Sequence, residues 1–170
     1  MSALASILLV YGALALQATL IPALGIAGIR PDLPLVAVTL VALSRGAATG
    51  TITGFLVGLA QDLGNPGFLG LNALAKCLVG HTVGTLRGRF DAGTALSHAL
   101  VLGAATVAHD LVYLTIHRRL VLSEIFLALG THTLPTALYT AVVGSLLAVL
   151  LAALAGRRSH RFGRSHLANR

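Results

Sequence analysis

The chain reads as an all-α fold, a polytopic membrane helical bundle of six transmembrane helices, and three observations lead there. Of its 170 residues, 56% are hydrophobic and only 10% charged, with a mean hydropathy of +0.88, a balance foreign to soluble domains. Apolar segments joined by short links fill nearly all of residues 3–155, which leaves no length for a large soluble domain. Finally, Gly46, Gly50, Gly54 and Gly58 recur at four-residue intervals with Asp62 as the next position, and Asn72, Lys76, Gly80, Gly84 and Gly88 repeat the interval in the following segment. Glycine costs about 1 kcal/mol against alanine in a helix in water, but in lipid, small residues at this spacing let helix backbones approach closely. The two rows are therefore predicted packing ridges of a helical hairpin, winding obliquely because four residues overrun a 3.6-residue turn. Alanine is expected to be tolerated at Gly50, since small-xxx-small contacts accept it.

The first span covers residues 3–24, carries no charge and closes near Pro22. Ala13-Leu14-Ala15 imitates a signal-peptidase site, yet no basic region precedes the apolar stretch and the stretch runs on past the motif, so a retained helix is expected. Twelve residues separate Asp32 from Arg45, whereas about 20 are needed to cross roughly 30 Å of hydrocarbon. The second span must then be short, tilted, or begin before Pro31. Spans three (residues 46–62) and four (70–86) are also short, and Lys76 lies within the latter. Short spans call for protein neighbours or local bilayer thinning at their ends. Span five (92–116) is longer but contains His98, His109 and Asp110, and span six (133–155) is uncharged as far as Arg157. Five crossings, or a re-entrant second segment, are the alternatives to six. Residues 1–156 thus form an integral membrane domain and 157–170 a basic tail expected to be disordered.

Arginine and lysine favour the cytoplasmic side. Six spans with both termini inside put Arg45, Arg87, Arg89, Arg157, Arg158, Arg161, Arg164 and Arg170 in the cytoplasm and Arg30, Arg118 and Arg119 outside. Without the tail the count is three against three, so the tail carries the orientation. With one aromatic, Phe162, that tail suits an anchor at anionic lipid headgroups better than a nucleic-acid surface. A single cysteine, Cys77, excludes an intramolecular disulfide and any zinc site of several cysteines.

No HExxH, GxSxG or GxxxxGK[ST] pattern occurs, and Gly144-Ser145 lacks the flanks of a serine nucleophile, so no catalytic residue, metal site or cofactor is expected. His109 and Asp110 are adjacent on a helix and point about 100° apart, poorly placed to share a ligand. The charges at bilayer depth still need partners, because a lysine or aspartate there costs about 2.5 to 3.5 kcal/mol on insertion scales. Lys76 is expected to reach Asp62 across the hairpin, the alternative being a lone ammonium snorkelling to the outer headgroups. Thr106, Asp110, Tyr113 and His117 lie on one face of span five, which makes Asp110 a competitor for Lys76. Asp62, Asn72, Lys76 and Asp110 are accordingly the candidate buried polar cluster.

The succession Arg30-Pro31-Asp32-Leu33, Arg45-Gly46, Gly54-Phe55, Gly58-Leu59-Ala60-Gln61-Asp62 and Leu69-Gly70-Leu71-Asn72-Ala73-Leu74 resembles the rod-shape-determining MreD family, and Leu134-Pro135-Thr136-Ala137-Leu138-Tyr139 is similar to the start of that family's last helix. The resemblance covers nearly the whole chain. It implies a multispan protein of the bacterial inner membrane, belonging to the peptidoglycan elongation machinery with MreC, the actin-like MreB, a RodA-type polymerase and a class B penicillin-binding protein, and it implies no reaction. It also implies a fold similar to the substrate-binding components of energy-coupling-factor vitamin transporters. The tail departs from the family in being longer and more basic, and Lys76 is not a family signature.

Two functions follow. The first is a non-catalytic membrane scaffold that binds an MreC-type partner through its glycine ridges, helix faces or outer loops. The second is a solute-binding transporter component with Lys76, Asp110 and the histidines of span five lining a pocket. Absent tryptophan and 5% aromatics argue against the second for any flat ring ligand.

Overall fold

The computed structural model describes residues 2–19, 29–64, 69–89, 94–117 and 126–165. Among the described residues there are six α-helices, α1 (Ala3–Thr19), α2 (Leu33–Arg45), α3 (Ala47–Asp62), α4 (Leu71–Thr85), α5 (Ala95–His117) and α6 (Leu134–Ser165), and no strand. In lipid a backbone must satisfy its own hydrogen bonds, and helices do so within each segment. Ala95–Ile116 and Phe126–Leu151 are long and apolar enough by themselves to cross a membrane. The basic residues from Arg157 to Arg164 continue α6 as helix, where composition suggested disorder. Arg118 and Arg119, expected on the outer side, lie with the rest of 118–125 outside the described residues, as does the predicted end of span one after Thr19.

The shortest helix lies at the centre. α2 has 13 residues, a rise of about 20 Å, and it packs against all five other helices. Pro34 to Ala42 are buried without interruption. One apolar cluster joins its Leu35 and Ala42 to Val79 and Val83 of α4 and Val101 and Ala105 of α5. A second joins Val36 and Leu40 to Leu102 of α5 and Ala148 of α6. So short an apolar helix is tolerable here because it is packed against protein along its length.

Sequence signals mark the helix ends. The Asp32 carboxylate accepts the Leu35 N–H at 2.9 Å, and Pro34 occupies the first turn, where its missing N–H costs nothing. Gly46, at φ +89, ends α2 and starts α3 in one residue, a conformation that side chains with a Cβ rarely adopt. Before α6, Leu129–Thr133 form a π-turn, which accommodates Pro135: proline has no N–H to donate, and its ring would crowd a regular turn.

α3 and α4 pack antiparallel, rung by rung. A Cβ on Gly50 would meet Gly80, one on Gly54 would meet Lys76, one on Gly58 would meet Asn72 and Ala73, and one on Gly84 would meet Gly46 and Ala47, in every case at backbone atoms. Gly88 does not join this ridge: it lies beyond the end of α4 at φ +87, and a Cβ there would meet nothing within 4 Å. Gly50 is not a mild position either, since its Cβ would stand 2.7 Å from the Ala42 Cβ and 3.0 Å from the Gly80 carbonyl carbon.

Candidate functional site

The polar residues do not form one cluster. They form two, and Lys76 and Asp62 belong to different ones.

Asp62, at the end of α3, is 1% exposed and faces the start of α4. Its carboxylate accepts the backbone N–H groups of Gly70 (2.9 Å), Asn72 (3.2 Å) and Ala73 (3.0 Å), and the Asn72 side-chain amide at 2.9 Å. The first N–H groups of a helix have no partner within it and carry its positive dipole end. A carboxylate from the neighbouring helix meets both needs, so Asp62 requires no lysine. Gly70, at φ +93, gives the left-handed turn that brings these donors round.

Lys76 is fully buried, and its partners are Asp32 and His109. The ammonium lies 2.7 Å from Asp32 Oδ2 and 3.0 Å from His109 Nε2. An ammonium only donates, so Nε2 accepts; Nδ1 then carries the imidazole proton and donates to Asp110 Oδ1 at 3.1 Å. The result is one chain, Asp32, Lys76, His109, Asp110, across α2, α4 and α5. Tyr113 stacks on His109 with ring centroids 6.1 Å apart. The same end of α2 is held from both remaining sides: the Asp32 N–H donates to Thr140 Oγ1 of α6 at 3.3 Å, and the Leu33 N–H to Gln17 Oε1 of α1 at 3.0 Å. Three helices, α1, α4 and α6, thus converge by hydrogen bonds on Asp32 and Leu33, and α5 joins them through Lys76.

The expected pairing of Lys76 with Asp62 is therefore corrected, for a geometric reason. Lys76 sits opposite Gly54, two turns from Asp62 along α3, while Asp62 is already saturated by backbone donors. Asp110 does not reach Lys76 directly either. The face of α5 turned inward carries Leu102, Ala105, Thr106 and His109; Thr106 of the predicted polar face is thus buried, whereas Asp110 and Tyr113 are half-buried at its edge. Asp32 and His109 are the partners that sequence reasoning missed for Lys76. The available signal was the Asp32-Leu33-Pro34 capping pattern, which places a carboxylate at the start of a helix that carries no charge before Arg45.

These features define an all-helical integral membrane protein whose internal charges are engaged in joining its helices. The family model described as rod shape-determining protein MreD matches residues 1–157. The chain belongs to the MreD family, and that membership implies a role in determining rod shape. No curated protein and no solved structure matches the chain significantly.

Proposed function

We propose that this protein is a non-catalytic membrane scaffold of the peptidoglycan elongation complex, binding an MreC-type periplasmic protein and, with it, an MreB-type actin homologue, a RodA-type polymerase and a class B penicillin-binding protein. Six spans with both termini in the cytoplasm, in a bundle similar to the substrate-binding components of energy-coupling-factor transporters, complete the proposal. The observation that carries it, beside family membership, is the commitment of Lys76. A solute-binding component would turn its buried cation toward a ligand, whereas this ammonium is held by Asp32 and His109 inside the helix packing. Exposed apolar side chains such as Leu4, Ile52, Leu138 and Leu146 leave the outer helix faces to lipid or to partner helices.

Co-purification from native membrane in mild detergent tests the reading. The MreC-type protein and the synthesis enzymes are expected to co-elute. Recovery of transporter ATPase subunits, or of a tight and specific small molecule in their place, overturns it. The orientation is tested by fusions: a reporter active only in the cytoplasm is expected to work after Arg170, and one active only in the periplasm to work between Arg119 and Glu124. The reverse pattern at either site overturns the topology.

A further inference from the structure

A groove of about 470 Å³ runs along the outside of the bundle between α1 and α3, lined by Ser6 and Leu14 of α1, Thr53 and Ala60 of α3, and Arg45 at the end of α2. Its direction follows from the chain. Gln17 near the end of α1 bonds to Leu33 at the start of α2, so α2 returns alongside α1 and ends at Arg45 near the beginning of α1. α3 leaves from that same place, which makes Arg45 and Ser6 one mouth and Leu14 and Ala60 the far end.

The dimensions select the occupant. The lining on α1 extends from Ala3 to Leu14, about 17 Å at 1.5 Å per residue, close to the depth of one leaflet of a roughly 30 Å hydrocarbon core. It is a narrow groove, open along one side and slimmer than the about 10–12 Å that a whole helix with its side chains occupies. A hydrocarbon chain fits along it, whereas a helix would lie over it rather than within it. The charges select the headgroup. The Arg87 guanidinium lies 3.6 Å from the position of a Cβ on Gly46, so it stands beside the Arg45 junction, and among the described residues neither arginine makes an ion pair. The described carboxylates, Asp32, Asp62 and Asp110, belong to the opposite end of the bundle, where α2 begins and α3 ends.

We propose that this groove binds one acyl chain of an anionic phospholipid, with the lipid phosphate held by Arg45 and Arg87. Basic residues between helices at the membrane surface recognise such headgroups, and a mostly apolar channel beside them keeps the chain.

The test titrates detergent-purified protein with dioleoylphosphatidylglycerol and, separately, dioleoylphosphatidylcholine, reading bound lipid by native mass spectrometry. Phosphatidylglycerol is expected to bind more tightly, by about fivefold for each arginine engaged. Arg45→Gln is expected to lower phosphatidylglycerol affinity by that factor and leave phosphatidylcholine unchanged, and Thr53→Phe, which fills the channel, to weaken both. Arg87→Gln, at an exposed position, repeats the headgroup test should Arg45→Gln fold poorly. Equal binding of the two lipids, or selectivity that survives both arginine changes, overturns the headgroup assignment. Undiminished binding in Thr53→Phe, or capture of protein rather than lipid by a photo-crosslinker at Thr53 in native membrane, overturns the groove.

Discussion

Replacing Gly54 with alanine places a methyl group where the backbone of α4 already stands. A Cβ built there lies 2.6 Å from the Lys76 carbonyl carbon, nearer still to its oxygen, and 3.0 Å from the Cys77 nitrogen. Carbon atoms in good contact sit about 3.5–4.0 Å apart, so α3 and α4 must separate by about 1 Å, a gap that forfeits a quarter to a half of each contact's attraction. Overpacking of this kind costs about 1–3 kcal/mol. The upper end applies because the obstacle is backbone, which has no alternative rotamer. Alanine's better helix propensity returns at most about 1 kcal/mol, leaving a net loss of about 2 kcal/mol. The structure supplies its own controls: a Cβ on Gly12 meets nothing within 4 Å, and one on Gly103 only the Ala141 Cβ at 3.9 Å. Gly12→Ala and Gly103→Ala are therefore expected to be neutral or stabilising by up to about 1 kcal/mol. Reversible unfolding in mixed micelles, followed by circular dichroism, measures all three. If Gly54→Ala unfolds together with the two controls, the rung-by-rung contact between α3 and α4 is wrong.

Lys76→Met strands the Asp32 carboxylate and is expected to cost about 3–5 kcal/mol, as removal of one member of a buried pair does. Lys76→Met with Asp32→Asn, which keeps an acceptor for the Leu35 N–H, is expected to recover much of that loss in the same unfolding assay; equal stability of the single and double variants refutes the pair. Because Asp62 and Lys76 do not touch, Asp62→Leu and Lys76→Met are expected to add within about 0.5 kcal/mol, and a rescue of one by the other would restore the pairing corrected above. Asp62→Ala leaves the N–H groups of Gly70, Asn72 and Ala73 without their acceptor, a loss of about 1–3 kcal/mol for each group that stays unpaired. Hydrogen exchange at these amides is expected to accelerate selectively over amides in the middle of α4, and unchanged protection refutes the capping role.

The glycine spacing by itself determined that α3 and α4 form a close hairpin region, because a four-residue repeat of a side-chain-free position has few uses in a membrane other than bringing backbones together. Composition determined the helical membrane class, and the twelve residues between Asp32 and Arg45 left the second helix short, tilted or beginning before Pro31, among which the structure shows a 13-residue helix from Leu33. Periodicity did not reveal that this short helix is the axis of the bundle, since a run such as Leu-Pro-Leu-Val-Ala-Val-Thr-Leu-Val-Ala reads the same facing lipid or facing protein. Nor did it reveal the partners of the buried charges. Sequence reasoning sought a cation for Asp62 and an anion for Lys76, whereas the start of α4 presents backbone donors to Asp62, and the meeting of α2, α4 and α5 brings Asp32 and His109 to Lys76. The contacts of Lys76 join residues 33 to 44 positions apart, and one helical step decides whether His109 or Asp110 faces inward. Local pattern specifies which faces are small and which residues are charged; only the packing of whole helices decides which charges meet.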